Sequence, residues 1–342
     1  MRAGTSELSA RFTMNTYLHI SKKVLAGELV TPEDLRFLIA HANHAPHDLL
    51  HLAWKVRKRY FGRRVSLCCI VPGKLGGCSE DCKWCAQRAT NMAVTRTASK
   101  ELVQAADDAL SAGAWRLGIV NSGRRPSQAD MQAIAAAVRE ILSDESRRAL
   151  CLCASLGELT EPQARDLRQA GVVRYHHNLE TSRRFFDQVV STHNYDDRLA
   201  TLANASAEGL EICCGALFGI GESWDDRIDL ALTLRDKIRP ASVPLNFLHP
   251  IQGTPLEHAE PLGPMEILTI ISLFRIAMPQ TDIKIAGGRV ANLRDMQSWI
   301  FYAGATSCMV GNYLTTAGRG IDEDLKMIED LGLDIDKPVK GL

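Results

Sequence analysis

Neither sign of charge dominates this chain of 342 residues: 40 lysines and arginines are set against 40 aspartates and glutamates. That balance, with no basic run carrying interleaved aromatics, argues against an extended nucleic-acid surface. Long apolar runs are missing as well, and the longest are far too short to cross a bilayer. Residues 1–13 lack the apolar core of a signal peptide, so the chain is expected in the cytoplasm, with Met14 as an alternative start. No low-complexity linker and no internal repeat divides it. No G-x-G-x-x-G turn follows the first apolar segment, which weakens the case for an open doubly wound sheet. What is left is a globular composition, 46% hydrophobic and 23% charged, sufficient for one α/β barrel or two smaller domains.

Cysteine is plentiful. Ten cysteines in a reducing compartment point to metal or redox chemistry rather than to disulfide staples. Three of them, Cys78, Cys82 and Cys85, form a C-x3-C-x2-C run with no fourth cysteine in step. A zinc knuckle would need a nearby fourth Cys or His. Three thiolates suit a [4Fe–4S] cluster in which one iron has no protein ligand, and a site left open at one position can take a substrate there. S-adenosylmethionine, whose amino and carboxylate groups chelate, is the natural occupant. Cleaving its sulfonium by one electron releases a 5′-deoxyadenosyl radical.

From about residue 63 the chain alternates short apolar runs with amphipathic helices. Candidate strands are 65–70, 115–121, 150–156, 172–178, 210–217, 242–248, 282–286 and 307–311. Ser99 is placed as the cap of a helix over 100–111, Thr160 precedes a helix start at Glu161-Pro162, and Gly171 and Gly209 stand at helix ends. This pattern reads as an α/β fold, a TIM-type (βα)8 barrel over residues 63–318. Residues 1–62 form an N-terminal helical extension of two or three helices, and 319–342 a tail with one more. In such a barrel the loops after the strands carry the chemistry, which puts the Cys78–Cys85 loop on the catalytic rim. Period-two alternation turns His176, Asn178 and Glu180, then Ser242, Pro244 and Asn246, then Lys284 and Ala286, toward the interior. Polar side chains clustered inside a barrel suggest a ligand cavity, though a purely structural hydrogen-bond network is the alternative.

Most of the remaining cysteines fall on candidate strands. A lone buried cysteine is ordinarily a small core residue. Cys68, Cys151, Cys153 and Cys213 lie on three separate strands and can converge on one cavity, enough for a second, buried iron–sulfur cluster. Cys308 is read as packing, with Ser307 as its inward neighbour.

Several motifs in order, from about Val65 to Leu333, resemble the biotin synthases, a radical S-adenosylmethionine family. They comprise the run from Gly76 to Gln87, His177-Asn-Leu-Glu-Thr-Ser182, Tyr195-Asp-Asp-Arg198, Cys213-Cys-Gly-Ala-Leu-Phe-Gly219-Ile-Gly-Glu222, Ser242-Val-Pro-Leu-Asn246, Gly253-Thr-Pro, Ala286-Gly-Gly-Arg289 and Tyr313-Leu-Thr-Thr. The resemblance implies a homodimeric barrel that inserts sulfur into dethiobiotin, with an electron donor such as a flavodoxin or ferredoxin and a buried cluster as sulfur source. It assigns Cys78, Cys82 and Cys85 to the [4Fe–4S] cluster and Asn178 and Glu180 to the ribose of S-adenosylmethionine. Arg198 falls to the methionine carboxylate, and the Gly215–Gly219–Glu222 turn to the nucleoside. Asn178, His176, Asn246 and Lys284 fall beside the substrate. The chain departs from the family pattern in three places: a usual cluster cysteine aligns with Gly118, the usual cluster arginine with Lys284, and a usual substrate asparagine with His176. The common [2Fe–2S] site cannot be built from these residues, whereas Cys68 and Cys151 add two thiols. The expectation is a replaced auxiliary cluster, of four irons with an extra sulfide. A maturase of the hydrogenase cofactor or a methylornithine-synthase-like mutase is the rival enzyme, and an iron–sulfur scaffold the rival outside catalysis.

Overall fold

Short strands rich in β-branched residues and cysteine, each followed by a helix with one apolar face, bury themselves most completely by closing into a parallel barrel wrapped in helices. The computed structural model, which describes residues 3–87, 92–314 and 318–336, has that form. Its strands are β1 (Arg64–Leu75), β2 (Arg116–Asn121), β3 (Cys151–Ser155), β4 (Arg174–His176), β5 (Glu211–Cys213, resuming as Ala216–Phe218), β6 (Ser242–Phe247), β7 (Asp282–Ile285) and β8 (Ser307–Met309). All neighbours are parallel, and β8 pairs with β1 to close the ring, Ser66 opposite Ser307 and Cys68 opposite Met309. The fold class therefore stands as expected.

Several local details differ from the sequence reading. β1 continues past residue 70 to Leu75, carrying the chain directly into the cysteine loop. The fifth strand breaks at Cys214-Gly215 because the backbone there is pressed against its neighbour: a Cβ on Gly215 would lie 1.9 Å from the Pro244 carbonyl oxygen. Ser99 is not the cap of its helix. The helix starts at Ser99 itself, the Ala98 N–H is satisfied by Glu101 Oε2 at 2.9 Å, and the Ser99 hydroxyl donates to Glu140. Two short strands had no sequence signal. Thr95–Arg96 runs antiparallel to the end of β1, and Asp334–Ile335 parallel to its start.

Outside the barrel, α1 (Ala3–Ala26), α2 (Pro32–Ala42) and α3 (Pro46–Phe61) precede β1. Thr31 caps α2 through a reciprocal pair of hydrogen bonds with Asp34, and Pro32 fills a position that needs no N–H. Two fully buried arginines anchor this layer. Arg57 of α3 donates to the carbonyls of Ala305 (2.7 Å), Gly62 (2.8 Å) and Arg64 (3.0 Å). Arg275, on the helix Pro264–Ala277, donates to the carbonyls of Gly304, Met278, Pro279 and Thr281 and to Thr306 Oγ1. Arg289 and Asp324 form a buried ion pair that ties the helix Ile321–Asp330 to the barrel. Among the described residues no helix is long and apolar enough to cross a membrane.

Candidate active site

The loop after β1 is held in place before it reaches its cysteines. Gly76 and Gly77 take left-handed φ values of 73° and 57°, and a Cβ on Gly76 would collide with the Ala93 carbonyl at 2.3 Å, so only glycine fits this turn. Gln87 accepts from the Gly76 N–H at 3.1 Å, and Ser122 donates to the Gly76 carbonyl at 2.6 Å. Cys78, Cys82 and Cys85 are half-buried and line one cavity of about 370 Å³ at the C-terminal mouth of the barrel. Burial pushes the Cys82 thiol up to about 12, opposed by nearby Arg198. Among the described residues no three His, Cys, Asp or Glu side chains close on a point that would hold a single ion. Three thiols set apart on one cavity instead fit a cluster, in which each cysteine takes a different iron.

Opposite this loop stand the side chains from β4 and the helix Tyr195–Ala207. Glu180 is one of three non-glycine residues with positive φ among the described residues (67°), a costly conformation held by a strand-like bridge to Ala216. Its carboxyl is buried in the cavity wall and pushed up by that burial, with Arg198 and Asn178 acting in the other direction. Arg198 donates to the Asn178 carbonyl at 2.6 Å and lies 3.8 Å from Glu180 Oε1, while its Nε is buried without a partner. An orphaned guanidinium N–H beside a carboxylate and an amide suits a zwitterionic amino-acid ligand. Asn178 Oδ1 accepts from Gly215 N at 3.0 Å, and Asn246 braces Ala216 O and Gly287 N, so both amides are fixed by backbone.

His176, Asn178, Glu180, Arg198, Asn246 and Lys284 all line this cavity. Gly219 and Glu222 do not. The Glu222 carboxylate is taken by the N–H groups of Gly219 and Ile220 and by Arg227 Nε at 2.8 Å, and the turn borders a separate surface cleft. Ser242 is also removed from the cavity; its hydroxyl donates to Asp282 at 2.8 Å. Thr315 and Thr316 of the last motif lie outside the described residues.

Sequence reasoning missed the polar rim. Arg124 joins Glu158 (2.8 Å) and Asp197 (3.2 Å), while His193 pairs with Glu80 (2.5 Å), which also accepts from Thr192. These residues tie together loops far apart in the chain, and only Glu80, between two cluster cysteines, carried a local hint. His177 and His193 line the cavity too, and burial pushes both imidazoles down.

Beneath the cavity the interior is unusually polar for a barrel core, where branched apolar side chains are the rule. Cys68, Cys151, Cys153 and Cys213 are all buried. Lys284 Nζ lies 3.6 Å from Cys68 Sγ and 3.7 Å from Cys213 Sγ. Burial opposes the charged Lys284 ammonium, but Cys213, Cys68, Cys153 and Asp282 outweigh it, and the group ends above the ordinary lysine range. A hydrogen bond between the two thiols moves Cys151 down to about 7 and, with burial, Cys153 well up. Gly118 and His176 are neighbours inside the barrel: a Cβ on Gly118 would lie in van der Waals contact with the imidazole, 3.4 Å from Cε1.

This is the barrel and cysteine loop of a radical S-adenosylmethionine enzyme, and the model of the Radical SAM superfamily matches residues 74–234. A second family model, the Biotin and Thiamin Synthesis associated domain, matches residues 244–334. The chain is 45% identical over 323 residues to the biotin synthase of Trichlorobacter lovleyi, covering 93% of this chain and 96% of that one. It is 46% identical over 293 residues to the biotin synthase of Heliobacterium modesticaldum, covering 84% and 89%. Among solved structures, methylornithine synthase superposes with a TM-score of 0.80 at 23% identity, covering 94% of this chain and 97% of that one, a likeness of fold alone. The chain belongs to the biotin synthase family.

Proposed function

We propose that this chain converts dethiobiotin to biotin by radical sulfur insertion, drawing the sulfur from a cluster held by Cys68, Cys151, Cys153 and Cys213. The observation that carries the reading is that Lys284, which lines the same cavity as Cys78, Cys82 and Cys85, lies 3.6 Å from the buried Cys68 sulfur and 3.7 Å from that of buried Cys213, with Cys151 and Cys153 buried on the strand between. When bound there, a [4Fe–4S] cluster and S-adenosylmethionine supply a carbon-centred radical that abstracts hydrogen from an unactivated C–H bond. The protein's own contribution is positional. Arg198, through its unpartnered Nε, takes the carboxylate of S-adenosylmethionine, and Asn178 and Glu180 face the ribose. Asn246, fixed by Ala216 and Gly287, presents its amide to the ureido ring, and His176 stands between substrate and thiols. The enclosing walls keep water and oxygen from the substrate radical.

With Gly118 lacking a thiol and Lys284 in the arginine position, four cysteines favour a four-iron auxiliary cluster carrying an additional sulfide over the [2Fe–2S] form. A flavodoxin or ferredoxin electron donor and a homodimeric assembly belong to the same proposal. The test is anaerobic turnover of reconstituted protein with dethiobiotin, S-adenosylmethionine and a low-potential reductant, following biotin and 5′-deoxyadenosine together by mass spectrometry. Both products are expected. 5′-Deoxyadenosine without biotin would retain the radical chemistry and reject the substrate. Unchanged iron and sulfide in both Cys68→Ala and Cys151→Ala would reject the four-thiol ligand set.

A further inference from the structure

Thiolate ligands bring negative charge into the barrel core, and buried charge is costly unless an opposite charge and hydrogen bonds meet it. Lys284 is placed to do this. It projects from β7, is 5% exposed, and its hydrogen-bond partners among the described residues are the sulfurs of Cys68 on β1 and Cys213 on β5. Its neighbours across the sheet, Pro244 and Ser307, offer no carboxylate. The nearest one, Asp282, is already engaged by the Ser242 and Thr306 hydroxyls at 2.8 Å each and by Arg116 at 4.0 Å. A protonated amine has no lone pair for iron, so this contact is not that of a ligand. It is a donor to ligands that come from two separate strands.

We propose that Lys284 is a positioning residue of the auxiliary site: its ammonium donates hydrogen bonds to the Cys68 and Cys213 sulfurs, offsets their charge, and sets the reduction potential of the cluster they hold. This rests on the four-thiol reading above. Hydrogen bonds to the sulfurs and net charge are the levers that move iron–sulfur potentials. A cation close to a redox centre favours its more negative, reduced form.

The test uses the full chain with Cys78, Cys82 and Cys85 all replaced by alanine and reconstituted anaerobically with iron and sulfide, so that only the auxiliary cluster remains. Redox titration followed by visible absorption and electron paramagnetic resonance compares Lys284 with Lys284→Arg and Lys284→Met. Equal iron and sulfide content is expected in all three, with the arginine variant near the parent potential and the methionine variant shifted to more negative potential. An unshifted methionine variant overturns the proposal. So does loss of iron from both variants, which would make Lys284 a ligand. If only the methionine variant loses iron, the arginine variant decides: a potential near the parent supports the proposal, and a large shift overturns it. Absence of iron from the triple-alanine protein with Lys284 intact is a different failure, that of the auxiliary-cluster reading itself.

Discussion

Arg57 and Arg275 at the outer base of the barrel and Lys284 and Arg174 in its interior are buried cations subject to the same desolvation, with opposite outcomes. Burial pushes Arg57 down to about 10 and Arg275 down to about 9. For Lys284 and Arg174 the same cost is outweighed by the thiols around them together with a carboxylate, Asp282 for Lys284 and Glu211, 2.6 Å away, for Arg174, and both end above their ordinary ranges. The outer pair is held by carbonyl oxygens of loops and helix ends, the inner pair by groups that can themselves ionise. The difference separates cations that brace a fold through neutral carbonyls from cations set among groups that can carry charge.

The contrast can be broken most directly at Arg275. Replacing it with methionine removes five hydrogen bonds at once and leaves the Gly304, Pro279 and Thr281 carbonyls without that donor, and urea unfolding should register a loss of about 3–5 kcal/mol. A loss under about 1 kcal/mol would mean these contacts do not brace the fold. Arg57→Met removes three such bonds and is expected to cost about 2–3 kcal/mol by the same measurement. Gly118→Cys forces its side chain against His176 and should cost about 1–3 kcal/mol as overpacking, with most of that recovered in the Gly118→Cys/His176→Asn double variant. Strictly additive effects would show that the two positions do not share one space. The smallest effect belongs to Lys284. In cluster-free protein, Lys284→Met should lie within about 1 kcal/mol of the parent or be more stable, because an apolar side chain of similar length replaces a buried ammonium held by only two long sulfur contacts, at 3.6 and 3.7 Å. A cost as large as that of Arg275→Met would end the distinction between the two pairs.

Much of the site could be read in the chain because its signals are local. The cysteine spacing over eight residues and the alternation of His176, Asn178 and Glu180 each describe one segment, and the structure turns those side chains to the same cavity. The spacing predicts a helix over 100–111 capped by Ser99, whereas the helix starts at Ser99 itself, since Glu101 rather than a serine hydroxyl satisfies the leading N–H. Glu222 carried a motif resemblance, yet its carboxylate is consumed by its own turn and by Arg227, a competition invisible without coordinates. The rim network of Arg124, Glu158 and Asp197 joins two loops and the first turn of the helix Tyr195–Ala207, which no short-range pattern links.

By itself the sequence determined the barrel, the open cysteine loop and which strand residues face inward, because periodicity and ligand spacing are properties of short stretches of chain. Only the tertiary structure decided that His176 fills the space beside Gly118 and that Lys284 comes to rest between Cys68 and Cys213, the first of them 216 positions away. Closure of β8 onto β1 makes that meeting possible, and closure is a condition on the whole ring of strands rather than on any one of them.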